Sequence, residues 1–237
     1  MIKLETHCHT GGSGCADCSV DIIADNYKKA GYGGVVVTNH MHPDCFSTYP
    51  GGTNKEKIKY YLSIYENTKK VFNEKGLKTF MGSEVLAITP GHSDFIIYGF
   101  DESFLYDNKP LFYYTQEELF RLCDKNGIFM YKCHPFRTRE YTGDPKFMHG
   151  AESFNGHWEH QNNNDIAEKF CDDNHLIKMS GTDYHHMQQP ITAGIYLPEN
   201  INTERELTDY IFENNFKRIE NKELYQKEYD KIHGVNR

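Results

Sequence analysis

The stretch Ile2-Lys3-Leu4-Glu5-Thr6-His7-Cys8-His9 holds the fold in outline: a short β-rich run leads straight into two histidines with one residue between them. Side chains two apart in an extended chain point the same way, so both imidazoles can face one point in space and share a metal ion. A lone His-x-His also arises by accident in a chain with 13 histidines, so the remaining sequence decides. Near the other end Asp183-Tyr184-His185 repeats the alternation, preceded by Ser180-Gly181-Thr182, small residues that suit a tight turn at a strand end.

Outward from these two stretches, β-rich runs at 2–4, 34–38, 78–82, 94–98, 128–131, 151–154, 177–179 and 193–197 alternate with helical stretches. That is the pattern of βα units around a parallel sheet, and seven or eight such strands point to a barrel. Thr115-Gln-Glu-Glu118 and Thr203-Glu-Arg-Glu206 read as capping boxes, predicting helices over 115–125 and 203–214. Apolar residues at helical spacing from Ile58 to Phe72, with Gly76 as a stop, predict a long helix over 55–74. The chemically unusual residues fall just after the predicted strands: His7 and His9, then Asn39-His40, Glu84, Asp101, His134, and Asp183 with His185. In a β/α barrel the C-terminal strand ends open onto one face, so these residues are expected to converge there. Imidazoles mixed with carboxylates suit zinc, manganese or iron, whereas calcium or magnesium prefers an oxygen shell. Glu84 and Asp183 are the candidates to bridge adjacent ions.

The motifs His7-Cys-His9-Thr10, Thr38-Asn39-His40, Gly82-Ser-Glu84, Cys133-His134-Pro135 and Gly181-Thr-Asp183-Tyr-His185 resemble, in order, those of the PHP (polymerase and histidinol phosphatase) family. Glu152-Ser-Phe-Asn155-Gly156 and the helix from Leu207 to Ile219 extend the resemblance over nearly the whole chain. It implies a distorted (β/α)7 TIM-like barrel and a cluster of two or three divalent metal ions (Zn, Mn or Fe). It also implies phosphoester hydrolysis by a metal-bridging hydroxide. The implied ligands are His7, His9, His40, Glu84, His134, Asp183 and His185, with Asp101 in a place often held by His and His92 as its alternative. Asp183 and His185 are the implied catalytic pair. Departures are Glu5 and Asn39 in place of the usual Asp, and Gly14-Cys15 in place of an Asp or His; either Cys15 is a thiolate ligand or one ion is weakened or absent. Arg137, just beyond His134, can grip a substrate phosphate by two hydrogen bonds. Arg139, Lys132 and His186 are second choices, and the leaving alkoxide would take its proton from a metal-bound water or a non-ligand histidine.

The chain length of 237 residues suits one barrel domain over 1–237, with 216–237 as a peripheral helix or tail. The net charge of −8 disfavours a dedicated nucleic-acid partner, which needs clustered Lys and Arg, so among the phosphoesters that the resemblance implies a small one is the expected substrate. No apolar run is long enough to cross a membrane and no signal peptide is evident, so a cytoplasmic protein without a membrane partner is expected. Its seven cysteines, an odd and scattered set, are expected to be reduced. His42, His149, His157, His160, His175 and His233 read as surface or loop residues, the pair Cys15/Cys18 as incidental, and Gly11-Gly12-Ser13-Gly14 as a loop over the barrel mouth. Two other functions stay open: a 3′–5′ exonuclease-type phosphodiesterase, and a metal-binding module that has lost turnover.

Overall fold

A computed structural model describes residues 1–11, 14 and 16–235. Its strands are β1 (Ile2–Cys8), β2 (Gly34–Val37), β3 (His40–Met41), β4 (Lys78–Leu86), β5 (Asp94–Tyr98), β6 (Phe129–Lys132), β7 (Gly150–Asn155), β8 (Ile177–Gly181), β9 (Ala193–Leu197) and β10 (Arg218–Glu220). The helices are α1 (Val20–Lys29), α2 (Pro43–Thr48), α3 (Asn54–Glu74), α4 (Glu102–Asp107), α5 (Gln116–Lys125), α6 (Asn164–Asp173), α7 (Glu204–Phe212) and α8 (Lys222–His233). All eight strand positions expected from the sequence are strands. The short β3 and β10 are additions, each with too few residues to leave a periodic signal.

The strands form one sheet in the order β10-β9-β1-β2-β4-β5-β6-β7-β8, with β3 against β4. The path curls round so that β8 comes back against β1, nearly closing a barrel: Thr6 Oγ1 donates to Ser180 O (2.6 Å), and Tyr184 N donates to His7 O (3.2 Å). Most neighbours are parallel, but β5 runs antiparallel to β4 and β6, and β9 runs antiparallel to β1 and β10. Only residues 87–93 connect β4 to β5. A parallel return needs a crossover of roughly a dozen residues or more, so this link enforces reversal.

Alternation along the strands builds two cores. Val35 and Val37 pack with Ile23 and Tyr27 of α1 and Ile58 of α3, whereas Val36 packs with the strand residues Leu4, Phe80, Ile96, Tyr131 and Met179. Each such side chain buried contributes on the order of 1.5–3 kcal/mol. Thr53/Glu56, Thr115/Glu118 and Thr203/Glu206 all form reciprocal capping boxes, which start α3, α5 and α7. The C-terminal helix α8 lays Tyr225 against Phe154. No described helix is long and apolar enough to cross a membrane, and Cys18, Cys45, Cys123, Cys133 and Cys171 are free thiols.

Candidate metal centre

The parallel strands deliver their C-terminal ends to one face, and there the expected residues meet. His7 Nε2 lies 3.0 Å from His9 Nε2, 3.4 Å from Glu84 Oε2 and 3.3 Å from Asp183 Oδ1. Glu84 stands at the centre: Oε2 is 3.1 Å from His9 Nε2 and 3.0 Å from His40 Nε2, while Oε1 is 3.0 Å from His134 Nε2. His185 stacks on His9 with centroids 4.1 Å apart, its Nδ1 3.2 Å from Asp183 Oδ1. Spacings of about 3.0–3.5 Å are what donors roughly 2.0–2.2 Å from a shared ion display. Five imidazoles and two carboxylates facing inward also match the ligand preference of zinc, manganese or iron. His134 Nδ1 is buried with no hydrogen-bond partner among the described residues, Glu140 Oε1 being 3.6 Å away, which leaves Nε2 as the engaged nitrogen.

Backbone geometry aims two of these side chains. His134 (φ 33°) and Asp183 (φ 55°) both adopt left-handed conformations just past β6 and β8. His and Asp tolerate that region better than most residues, and strained backbone of this kind gathers at functional sites. Gly181 matters for a reason different from the expected tight turn. A Cβ there would sit 2.6 Å from His7 Cβ and 2.7 Å from Glu152 Oε1, so only glycine lets β8 pass so close to β1.

The electrostatics follow from packing acids against imidazoles away from water. Burial alone would lower the His7 pKa, but Asp183, Glu152 and Glu84 outweigh it and hold it well above the usual range. Burial would raise the carboxyls of Glu84 and Asp183, yet the surrounding imidazoles, and Arg137 beside Asp183, hold both well below theirs. These acids therefore stay anionic at neutral pH, as cation ligands must.

A supporting shell holds the donors in place. Glu152, fully buried on β7, sets Oε1 2.8 Å from His7 Nδ1, while Oε2 accepts from the His134 amide (2.8 Å) and Asn155 Nδ2 (2.8 Å). Glu5 accepts from the amides of His7 and Thr182 and from Tyr27 OH, binding the ends of β1 and β8 to α1; burial pushes its carboxyl up to about 7. Glu152 was legible only as part of a familiar motif, because a buried acid in a strand resembles any other acid in sequence.

Other expected residues stand elsewhere. Asp101 does not join the cluster: it caps α4, accepting from Phe104 N (3.1 Å) at the far end of β5. Because β5 is antiparallel, its first residue faces the open end, and Asp94 sits there between His42 Nε2 (3.1 Å) and His92 Nε2 (2.8 Å). Cys15 lies outside the described residues, as do Gly12 and Ser13 of the glycine-rich stretch. Arg137, expected to meet a substrate phosphate, instead donates through Nη2 to Asp183 Oδ2 (2.5 Å) and Asn155 Oδ1 (3.0 Å), and through Nε to Asn162 Oδ1 (3.0 Å). Lys132 is wholly buried on Glu140 (2.8 Å). Arg139 is not among the residues that line the cleft, and His186 is. His42, His157 and His160, read from sequence as surface residues, line the same cleft of roughly 390 Å³ with His40, Glu84, His92, Asp94, His134, Arg137, Asp183 and His185. Burial, helped by Arg137, holds His157 well below the normal imidazole range and His160 down to about 4, so both are neutral there.

No protein-family model matches this sequence, and no curated protein matches it either. Solved structures do. PsfC of Pseudomonas syringae superposes with a TM-score of 0.67 at 13% identity, covering 97% of this chain and 98% of that one. A two-domain Bacteroides vulgatus protein containing a predicted PHP-like metal-dependent phosphoesterase gives 0.62 at 15% identity, over 97% of this chain and 69% of that one. The lesion-specific endonuclease of Pyrococcus furiosus gives 0.56 at 15% identity, over 92% of this chain and 57% of that one. In its fold, an α/β barrel nearly closed by one sheet, this chain stands with the PHP-like metal-dependent phosphoesterases.

Proposed function

We propose that the chain is a metal-dependent phosphoesterase of the PHP type, hydrolysing a small phosphorylated substrate in the cleft above Glu84 and Asp183. The observation that carries this reading is the meeting of His7, His9, His40, Glu84, His134, Asp183 and His185 at one barrel end, with donor atoms 3.0–3.5 Å apart. Divalent cations held by these donors would acidify a coordinated water and neutralise phosphoester oxygens.

The protein's own groups have defined parts. Glu152 fixes the His7 ring so that Nε2 points inward, and Arg137 holds Asp183 Oδ2 so that Oδ1 faces His7, His9 and His185. Arg137 is thus first a positioning residue, and it also lines the cleft that a substrate would enter. His92, half exposed at the mouth, is the proton donor for the leaving alkoxide: its hydrogen bond to Asp94 Oδ2 (2.8 Å) raises its pKa from the ordinary imidazole value and so favours the charged, proton-donating form.

The test is turnover of phosphomonoesters, small phosphodiesters and a labelled single DNA strand with Mn²⁺, Zn²⁺ or Fe²⁺, each repeated after chelation. Chelator-sensitive hydrolysis of the small esters supports the proposal. Hydrolysis of the strand alone supports the nuclease reading that the P. furiosus neighbour's fold favours, against the net charge of −8. Bound metal without hydrolysis of any of them refutes both and leaves a binding module.

A further inference from the structure

The mouth of the cleft carries donors that the inner cluster does not use. His157 and Glu159 follow β7, His186 follows β8, and each offers a ligand atom within 4.8 Å of the other two. We propose that these three residues form a separate site for a zinc-like divalent cation, joining the loop after β7 to the loop after β8.

Five observations support this site. His186 Nε2 lies 3.5 Å from Glu159 Oε2, long for a hydrogen bond. It is close to the roughly 3.4 Å that separates two donors about 2.0–2.1 Å from one tetrahedral ion. The other nitrogen of that ring, Nδ1, lies 3.0 Å from Asp17 Oδ2, and Asp17 Oδ1 accepts from the Met187 amide (3.2 Å). A carboxylate placed this way fixes a ligating imidazole, holding its proton on the outer nitrogen and turning the inner one toward the ion. His157 is only 3% exposed and lies against His160 and His185, with centroids 4.6 and 5.4 Å away, so its position is set by packing. Its Nδ1 receives one long hydrogen bond, 3.3 Å, from the Glu159 amide, a weak contact that a metal–nitrogen bond would replace. The His157 and His186 rings are near perpendicular, with centroids 6.0 Å apart, leaving room for an ion between them.

Two imidazoles and one carboxylate are a ligand set that zinc accepts with its fourth position open, and all three residues line the cleft. An ion here would add positive charge beside Arg137 and His185, where a second anionic group of a substrate could bind. It would also fasten the Asp17 segment to the barrel through His186. None of the three belongs to the inner set, so the site stands whether or not that set hydrolyses phosphoesters.

The experiment is a titration of the metal-free protein with cobalt(II) alone, following tetrahedral d–d absorption and bound equivalents. The Glu159→Gln/His186→Gln double variant is expected to bind one equivalent fewer than the wild type, and Asp183→Ala to lose inner equivalents while keeping the outer one. Asp17→Asn should weaken the outer ion about 10-fold or more. Glu159 is about half exposed, so the single Glu159→Gln variant serves as the folded control, checked by an unchanged metal-free melting curve. Equal equivalents in wild type and the double variant overturn the proposal. If Asp183→Ala loses every equivalent, it falls as well. A wild type with the outer ion but no phosphoesterase turnover overturns the functional reading alone.

Discussion

Exchanging Glu152 for Gln removes one charge and one acceptor while keeping shape, which makes it a sharp probe of how the donors are held. The carboxylate has three partners at 2.8 Å: His7 Nδ1 on one oxygen, and the His134 amide and Asn155 Nδ2 on the other. Facing the amide NH2 toward His134 and Asn155 would leave two buried donors unpaired, at about 1–3 kcal/mol each. The glutamine therefore keeps its oxygen there and turns its NH2 toward His7. His7 Nδ1 must then accept, which moves the ring proton to Nε2, the nitrogen that faces His9, Glu84 and Asp183. Loss of one charge-assisted hydrogen bond costs roughly 1.5–3 kcal/mol of stability. Misorienting a ligating histidine lowers metal affinity roughly 10–100-fold, or about 1.4–2.7 kcal/mol. Competition with a chromophoric chelator measures the affinity, and thermal melting of the metal-free protein measures the stability. Metal affinity within about twofold of wild type in a folded variant would refute the reasoning, because 10-fold is the least that such a tautomer change predicts.

Arg137→Ala leaves Asp183 buried without its cation and should cost on the order of 3–5 kcal/mol, with weakened metal binding; intact metal content beside a raised KM would instead make Arg137 a substrate-binding group. Gly181→Ala drives a methyl into His7 and Glu152, and a melting experiment should show a loss of about 1–3 kcal/mol together with reduced bound metal. For His92 the sign is fixed by its role: a proton donor must be charged, so kcat should fall as pH rises through an imidazole pKa that Asp94 raises from its ordinary value. His92→Gln should abolish that alkaline limb, and an unchanged pH profile would remove His92 from the reaction.

Much of this architecture was legible because each strand announces itself by a short β-rich run and is followed by its chemistry. His7 and Asp183 lie 176 positions apart, as do His9 and His185, yet parallel strand ends bring them together, and periodicity alone locates those ends. Direction was not legible. Asp101 follows a strand just as Glu84 does, but the short link over 87–93 reverses β5 and sends Asp101 to the opposite end, so Asp94 takes the mouth. The supporting shell was equally hidden. Glu152 and Glu5 matter through three-dimensional hydrogen bonding, and Arg137 through its ion pair with Asp183, none of which has a sequence period. His157 and His160 read as surface or loop residues; their place after the sixth predicted strand is the one sign of a place at the cleft, and nothing in the sequence says how the connection after β7 folds back over it.

Anomalous diffraction from crystals grown with manganese(II), recorded on both sides of the metal's absorption edge, probes the whole argument at its root. Difference density within bonding distance of His7, His9, Glu84 and Asp183, with Glu84 shared between two peaks, is the predicted result. A map without density at those residues, while manganese is bound elsewhere or not at all, would contradict the metal centre and the hydrolase built on it.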